Sequence, residues 1–239
     1  MDDLPAPYLL SLPLHAVTEV YGEAGLRRRF SLELSSFAEA EQVVLQRALR
    51  LASRLHREDR RTREPVINHL LRVTLRIMCH YRVRDVEVLA AALLHDSVED
   101  HPRDLAGGEP EDSTSAALGV LARDFGARVA WLVGAVTNPQ YDPARDKDEQ
   151  YREHLVASLG GEPWARLIKV SDFTDNGAGV LYTIGPKVRR AATKYRAVVP
   201  LLRELVARPD TPLHDEVKAH IAGQFDRAER RFAAILQPS

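Results

Sequence analysis

The chain has 239 residues, 45% of them hydrophobic and 28% charged, with a formal net charge of −1. This is an ordinary globular composition, long enough to bury a sizeable core, and it excludes a global attraction to nucleic acid or to an acidic membrane. One cysteine, Cys79, excludes an internal disulfide, no apolar run approaches the ~18 residues of a membrane span, and no leader pattern opens the chain, so a cytoplasmic protein is expected.

Residues 1–34 carry Pro5, Pro7 and Pro13 and a polar patch at Glu19–Arg29. They read as an irregular N-terminal extension with one short helix near Pro13–Tyr21, preceding a single domain over 35–239. Ser36-Phe-Ala-Glu39 has the form of a capping box. Val43, Val44, Leu45, Ala48, Leu51, Ala52 and Leu55 then recur at helical spacing, which predicts a helix over 37–57. After the basic segment 57–63, Glu64-Pro65 opens a helix that is apolar round most of its circumference, and it carries His69. Cys79, at its end, reads as a small core residue.

Asp85 suits the N-cap of the next helix. Its alanine-rich run ends in His95-Asp96-Ser-Val-Glu99-Asp100. On a continuous helix these four side chains share one sector of the surface. They would crowd its C-terminus, where the dipole disfavours carboxylates, and a divalent cation would relieve both penalties. Residues 103–115 read as a surface loop. Helices are expected over 115–125, 128–136, 147–159, 164–171 with Asp172 at its end, 186–207 interrupted at Pro200, and 213–236. Asn176 to Gly179 reads as a flexible turn, and Trp131 and Trp164 as core. His56 reads as a helix cap or substrate contact; His101 and the remaining histidines read as structural or solvated. Strand signals are scarce, so the chain is expected to be all-α.

His69, His95, Asp96 and Asp172 form a candidate set of two imidazoles and two carboxylates. Such donors suit Mn²⁺, Fe²⁺ or Zn²⁺ and leave positions open for water and a phosphate oxygen. Four stretches carry a resemblance: Arg60–His69; Leu93-Leu-His-Asp-Ser-Val-Glu-Asp100; the Phe125-Gly126 to Thr137 helix; and Lys169-Val-Ser-Asp172 with Asn176. Together they resemble the HD-domain phosphohydrolases, most closely the hydrolase domain of the RelA/SpoT alarmone enzymes and the small alarmone hydrolases.

That resemblance implies an all-α, single-domain HD-type helical bundle. His69, His95, Asp96 and Asp172 would hold one metal, Mn²⁺ in that family. Glu99 and Asp100 would activate water, and Arg60 or Arg61, with Lys169 and Asn176, would bind the substrate. The implied reaction is hydrolysis of the 3′-pyrophosphate of (p)ppGpp, the nucleotide of the stringent response. The substrate is thus a small nucleotide, with no nucleic-acid or membrane partner and with homo-oligomerisation left open. Arg63, Val66 and Leu70 depart from the family's Gly, Tyr and Pro. These departures keep two alternatives open: hydrolysis of another nucleotide by a 5′-nucleotidase or dNTP hydrolase, and a non-enzymatic nucleotide-binding regulator.

Overall fold

The computed structural model describes residues 6–61, 64–108, 110–177 and 187–237. Among them there is no strand; one isolated antiparallel bridge pairs Arg60 with Pro65. The regular elements are helices joined by turns and loops: α1 (Ala6–Ser11), α2 (Leu14–Leu34), α3 (Glu39–Leu55), α4 (Val66–Leu75), α5 (Val86–Leu94), α6 (Ser97–Asp100), α7 (Pro102–Ala106), α8 (Ser113–Phe125), α9 (Ala127–Val136), α10 (Lys147–Gly161), α11 (Pro163–Asn176), α12 (Lys187–Ala207) and α13 (Asp215–Leu236). A π-helical turn, Arg76–His80, continues α4. Two compact units emerge, residues 1–134 and 135–239. The all-α fold expected from the sequence is the fold observed.

In the first unit, α3 and α4 pack on α5, and α2 packs on α4. Leu45, Ala48 and Ala52 from α3, Leu70, Leu71 and Leu75 from α4, and Leu89 and Leu93 from α5 are buried there. Asp85 caps α5 as expected. Its Oδ1 accepts from the amides of Glu87 (3.1 Å) and Val88 (3.3 Å), and Arg128 donates to the same oxygen at 2.9 Å. In the second unit α11 packs against α10 and α12, and α12 against α13. Phe173 is met edge-on by Tyr195, Phe225 and Phe232, with ring centroids 5.5 to 6.5 Å away.

Several expectations are corrected. From Ala6 onward the N-terminal stretch is mostly helical. Within α2 only Gly22 leaves helical geometry, at φ 59° and ψ −151°, a conformation open to glycine. Val17, Leu26, Phe30 and Leu34 are buried on its inner side. Ser36 does not cap α3. Its hydroxyl donates to the Glu33 carbonyl, whereas the Ala38 amide opens α3 by donating to Glu41 Oε2 at 2.9 Å.

The expected loop at 103–115 contains most of α7, closed by Gly107 in the left-handed region at φ 78°. The helix predicted through His95 and Asp96 is broken there into α5 and α6. Asp172 lies inside α11 rather than at its end, and α12 runs on through Pro200. Trp131 is 66% exposed, so an apolar helix does not guarantee a core tryptophan; Trp164 is half-buried. Cys79 is half-buried, and burial pushes its thiol up to about 12. The turn expected at 176–179 lies outside the described residues from Ala178 onward, as does Arg63.

Candidate active site

His69 sits in the second turn of α4, where every residue is buried. The segment leading into that helix is anchored by Glu64. Its carboxylate accepts both guanidinium nitrogens of Arg72, at 2.7 and 2.5 Å, and the Asn68 amide at 3.1 Å. The α5–α6 break supplies the next two residues: His95 closes α5 and Asp96 precedes α6.

The break orients both side chains. His95 Nδ1 donates to the Ala92 carbonyl at 2.8 Å. That bond places a proton on Nδ1, so in the neutral ring Nε2 carries the lone pair. It faces Asp96 Oδ1 at 3.1 Å, while His69 Nε2 lies 3.8 Å from Asp96 Oδ2. The two imidazole rings are 5.3 Å apart. A lone pair set against a carboxylate calls for positive charge between them. Two imidazoles and a carboxylate are suitable donors for a divalent transition metal. Arg61 reaches within 4.0 Å of Asp96 Oδ2; Arg60 is exposed, its backbone held in the bridge to Pro65.

Glu99 and Asp100 lie one turn on, on α6, and both meet solvent. Displacement of water by the surrounding protein pushes Asp100 up to about 6, helped by the charges of Asp96 and Glu99.

In the second unit, Lys169, Asp172 and Asn176 follow one another at helical spacing on α11. Lys169 Nζ is 3.4 Å from Asp172 Oδ2, and Asn176 donates to Asp172 Oδ1 at 2.5 Å. Lys169 also lies 5.7 Å from the Tyr151 ring centroid. Its buried ammonium thus has an anion and an aromatic face beside it. The structure therefore brings His69, His95, Asp96 and Arg61 together within the first unit, and Lys169, Asp172 and Asn176 within the second.

One group escaped the sequence reading. His56, at the C-terminal end of α3, Asp59 in the following loop, and His101 between α6 and α7 meet side by side. The sequence alone marks His56 as a helix cap or substrate contact and His101 as structural or solvated. Burial lowers the His56 pKa; His101 is raised, its two carboxylate bonds outweighing burial. The only signal in the sequence was the helical three-residue step from His56 to Asp59.

The family model described as "HD domain" matches residues 48–157. The chain is 35% identical over 137 residues to the human guanosine-3′,5′-bis(diphosphate) 3′-pyrophosphohydrolase MESH1, covering 56% of this chain and 67% of that protein. It is 34% identical over 157 residues to the guanosine-3′,5′-bis(diphosphate) 3′-pyrophosphohydrolase of Aquifex aeolicus, covering 65% of this chain and 20% of that one. The chain belongs to the HD-domain hydrolases of the MESH1 and SpoT/RelA type.

A solved structure of a metazoan SpoT orthologue, described as hydrolysing ppGpp and playing a role in starvation responses, has the same fold. Its TM-score is 0.58 at 23% identity, over 80% of this chain and 97% of that one. The HD-domain match contains His69, His95, Asp96, Glu99 and Asp100 and ends before Lys169. HD-domain hydrolases depend on a metal, and the donor set at His95-Asp96 fits that requirement. Among the described residues no helix is long and apolar enough to cross a membrane.

Proposed function

We propose that the protein is a (p)ppGpp 3′-pyrophosphohydrolase using Mn²⁺, which releases pyrophosphate and leaves GDP or GTP. The observation that carries this reading is the His69–His95–Asp96 arrangement in a chain 35% identical to human MESH1. His69, His95 and Asp96 would hold the ion, with Asp172 of α11 as the fourth ligand. When bound, the ion supplies Lewis-acid polarisation of a phosphoryl oxygen.

The remaining work falls to the chain's own side chains. Asp100, at about 6, is ionised at neutral pH yet basic enough to take a proton from the attacking water. Glu99 beside it orients that water. Arg61, Lys169 and Asn176 supply charge and hydrogen bonds for phosphate oxygens, with Arg60 nearby as an outer contact. The 3′ P–O bond to the ribose breaks, and the leaving oxygen takes up a proton. A free nucleotide as substrate and a lone cysteine fit a cytoplasmic enzyme that removes the signal of the stringent response; no nucleic acid or membrane is needed.

The test is hydrolysis of a nucleotide panel with Mn²⁺ added and products resolved as phosphate or pyrophosphate. Pyrophosphate from ppGpp is expected, and Asp96→Ala should lose both bound metal and turnover. Phosphate released from nucleoside monophosphates, with ppGpp untouched, would move the reading to a nucleotidase. Metal content unchanged by Asp96→Ala would remove the ligand assignment.

A further inference from the structure

His56, Asp59 and His101 form a cluster outside the proposed catalytic ligands. His56 Nδ1 and His101 Nε2 both reach Asp59 Oδ2, at 2.7 and 2.6 Å. The imidazoles stand edge to face, with centroids 4.8 Å apart. One atom from each residue lies within 4.8 Å of the others. Tetrahedral bonds of 2.0–2.1 Å to zinc would set such atoms ~3.3 Å apart, so seating an ion needs only a small opening of the two contacts.

The backbone holds the three residues in place. Asp59 donates its amide to the His56 carbonyl (3.2 Å) and accepts from the Val66 amide (3.2 Å), while the His101 amide donates to the Ser97 carbonyl at 3.1 Å.

The second nitrogen of His101 identifies the kind of site. His101 Nδ1 lies 3.2 Å from Asp104 Oδ2. A carboxylate on the far nitrogen fixes the ring and directs the near nitrogen, the usual support of a metal-bound histidine. His56 is 1% exposed, and its Nε2 has no hydrogen-bond partner. Such burial favours the neutral imidazole, the form that binds metal. Asp59 and His101 retain contact with solvent, which gives an ion a way in.

We propose that His56, Asp59 and His101 form a second divalent-cation site, of the zinc class, separate from the His69–His95–Asp96 centre. Its three protein ligands, two nitrogens and one oxygen, leave one tetrahedral position for water. The ion displaces the bridging protons between the imidazoles and Asp59, so its uptake releases protons. It places positive charge beside Asp100, whose environment already includes Asp59 and His101.

The test is zinc content per chain after equilibrium dialysis of the full-length protein, by elemental analysis, for the unsubstituted chain, His101→Asn and Asp96→Ala. Two equivalents are expected for the unsubstituted chain and one for each variant. The His101→Asn/Asp96→Ala double variant should bind none. His101 is part-exposed, so its asparagine variant should keep its helical circular dichroism; Asp59→Asn is a second route to the same loss. One equivalent in the unsubstituted chain, lost in Asp96→Ala and kept in His101→Asn, would overturn the proposal and leave a hydrogen-bonded His–Asp–His clamp. Loss of zinc in His101→Asn but not in Asp96→Ala would support this site while counting against the catalytic ligand set.

Discussion

Asp100 joins sequence, electrostatics and reactivity. It is crowded by protein that displaces water and by the carboxylates Asp96 and Glu99, and its pKa rises to about 6 from 3.8. In the metal-free protein, therefore, ionised Asp100 opposes folding at neutral pH. Between 3.8 and about 6 the native state binds the proton and the unfolded chain does not, so that opposition fades as pH falls. Asp100→Asn should stabilise the metal-free protein at pH 7–8, and the gain should vanish towards pH 4. Because the side chain meets solvent, the gain should be no more than about 1 kcal/mol; urea denaturation at several pH values measures it. Turnover by the unsubstituted protein should fall on the acid side as Asp100 takes up its proton, at a pH below about 6 because a cation held at Asp96 offsets the repulsion that raises it in the metal-free protein, and no pH should restore it in Asp100→Asn.

These residues were legible because His95, Asp96, Glu99 and Asp100 are close in sequence and their chemistry needs few neighbours to be recognised. The His56–Asp59–His101 group was not. His101 lies far along the chain from the other two, and only the packing of the α3 end beside the α6–α7 junction unites them.

At the scale of elements, legibility followed the strength of local patterning. The α3 and α5 helices announce themselves, one by spaced apolar residues and the other by an unbroken apolar run with Asp85 at its start. Of α2 only the start, near Pro13–Tyr21, is legible; its continuation to Leu34 is hidden because the charged residues pair along the helix, Arg27 with Glu23 and Arg29 with Glu33, so a polar-looking patch conceals a buried face. The α7 helix was hidden because it is a single turn, opened by Pro102 and closed by Gly107, residues that otherwise signal a loop. Arg166 on α11 shows the same problem at higher cost. It is fully buried and donates to the carbonyls of Leu159 (2.7 Å) and Gly160 (2.8 Å), to Thr211 Oγ1 (2.9 Å) and to both oxygens of Asp210. In sequence it is one arginine among many. Arg166→Ala strands those two carbonyls, while Asp210 is half-exposed and keeps Arg208, so the loss should be about 2–4 kcal/mol, which guanidinium denaturation followed by circular dichroism would read. A cost below about 1 kcal/mol would mean that water replaces the guanidinium there.

At the scale of the whole molecule, the proposed ligand set draws on both compact units: His69, His95 and Asp96 from the first and Asp172 from the second. A ligand that binds only the folded state stabilises whatever must fold to bind it, by about 2.7 kcal/mol at a hundredfold excess over Kd. The chain's two tryptophans divide between the units, Trp131 in the first and Trp164 in the second. The single-tryptophan variants Trp164→Phe and Trp131→Phe therefore report on each unit separately by fluorescence during thermal unfolding. Saturating Mn²⁺ should raise both transitions. In an Asp172→Ala background the rise should disappear from the Trp164 reporter, because the second unit then contributes no ligand to the ion. If Asp172→Ala responds to Mn²⁺ as the parent does in both reporters, the ion is held by the first unit alone, and Asp172 is a partner of Lys169 and Asn176 rather than a ligand.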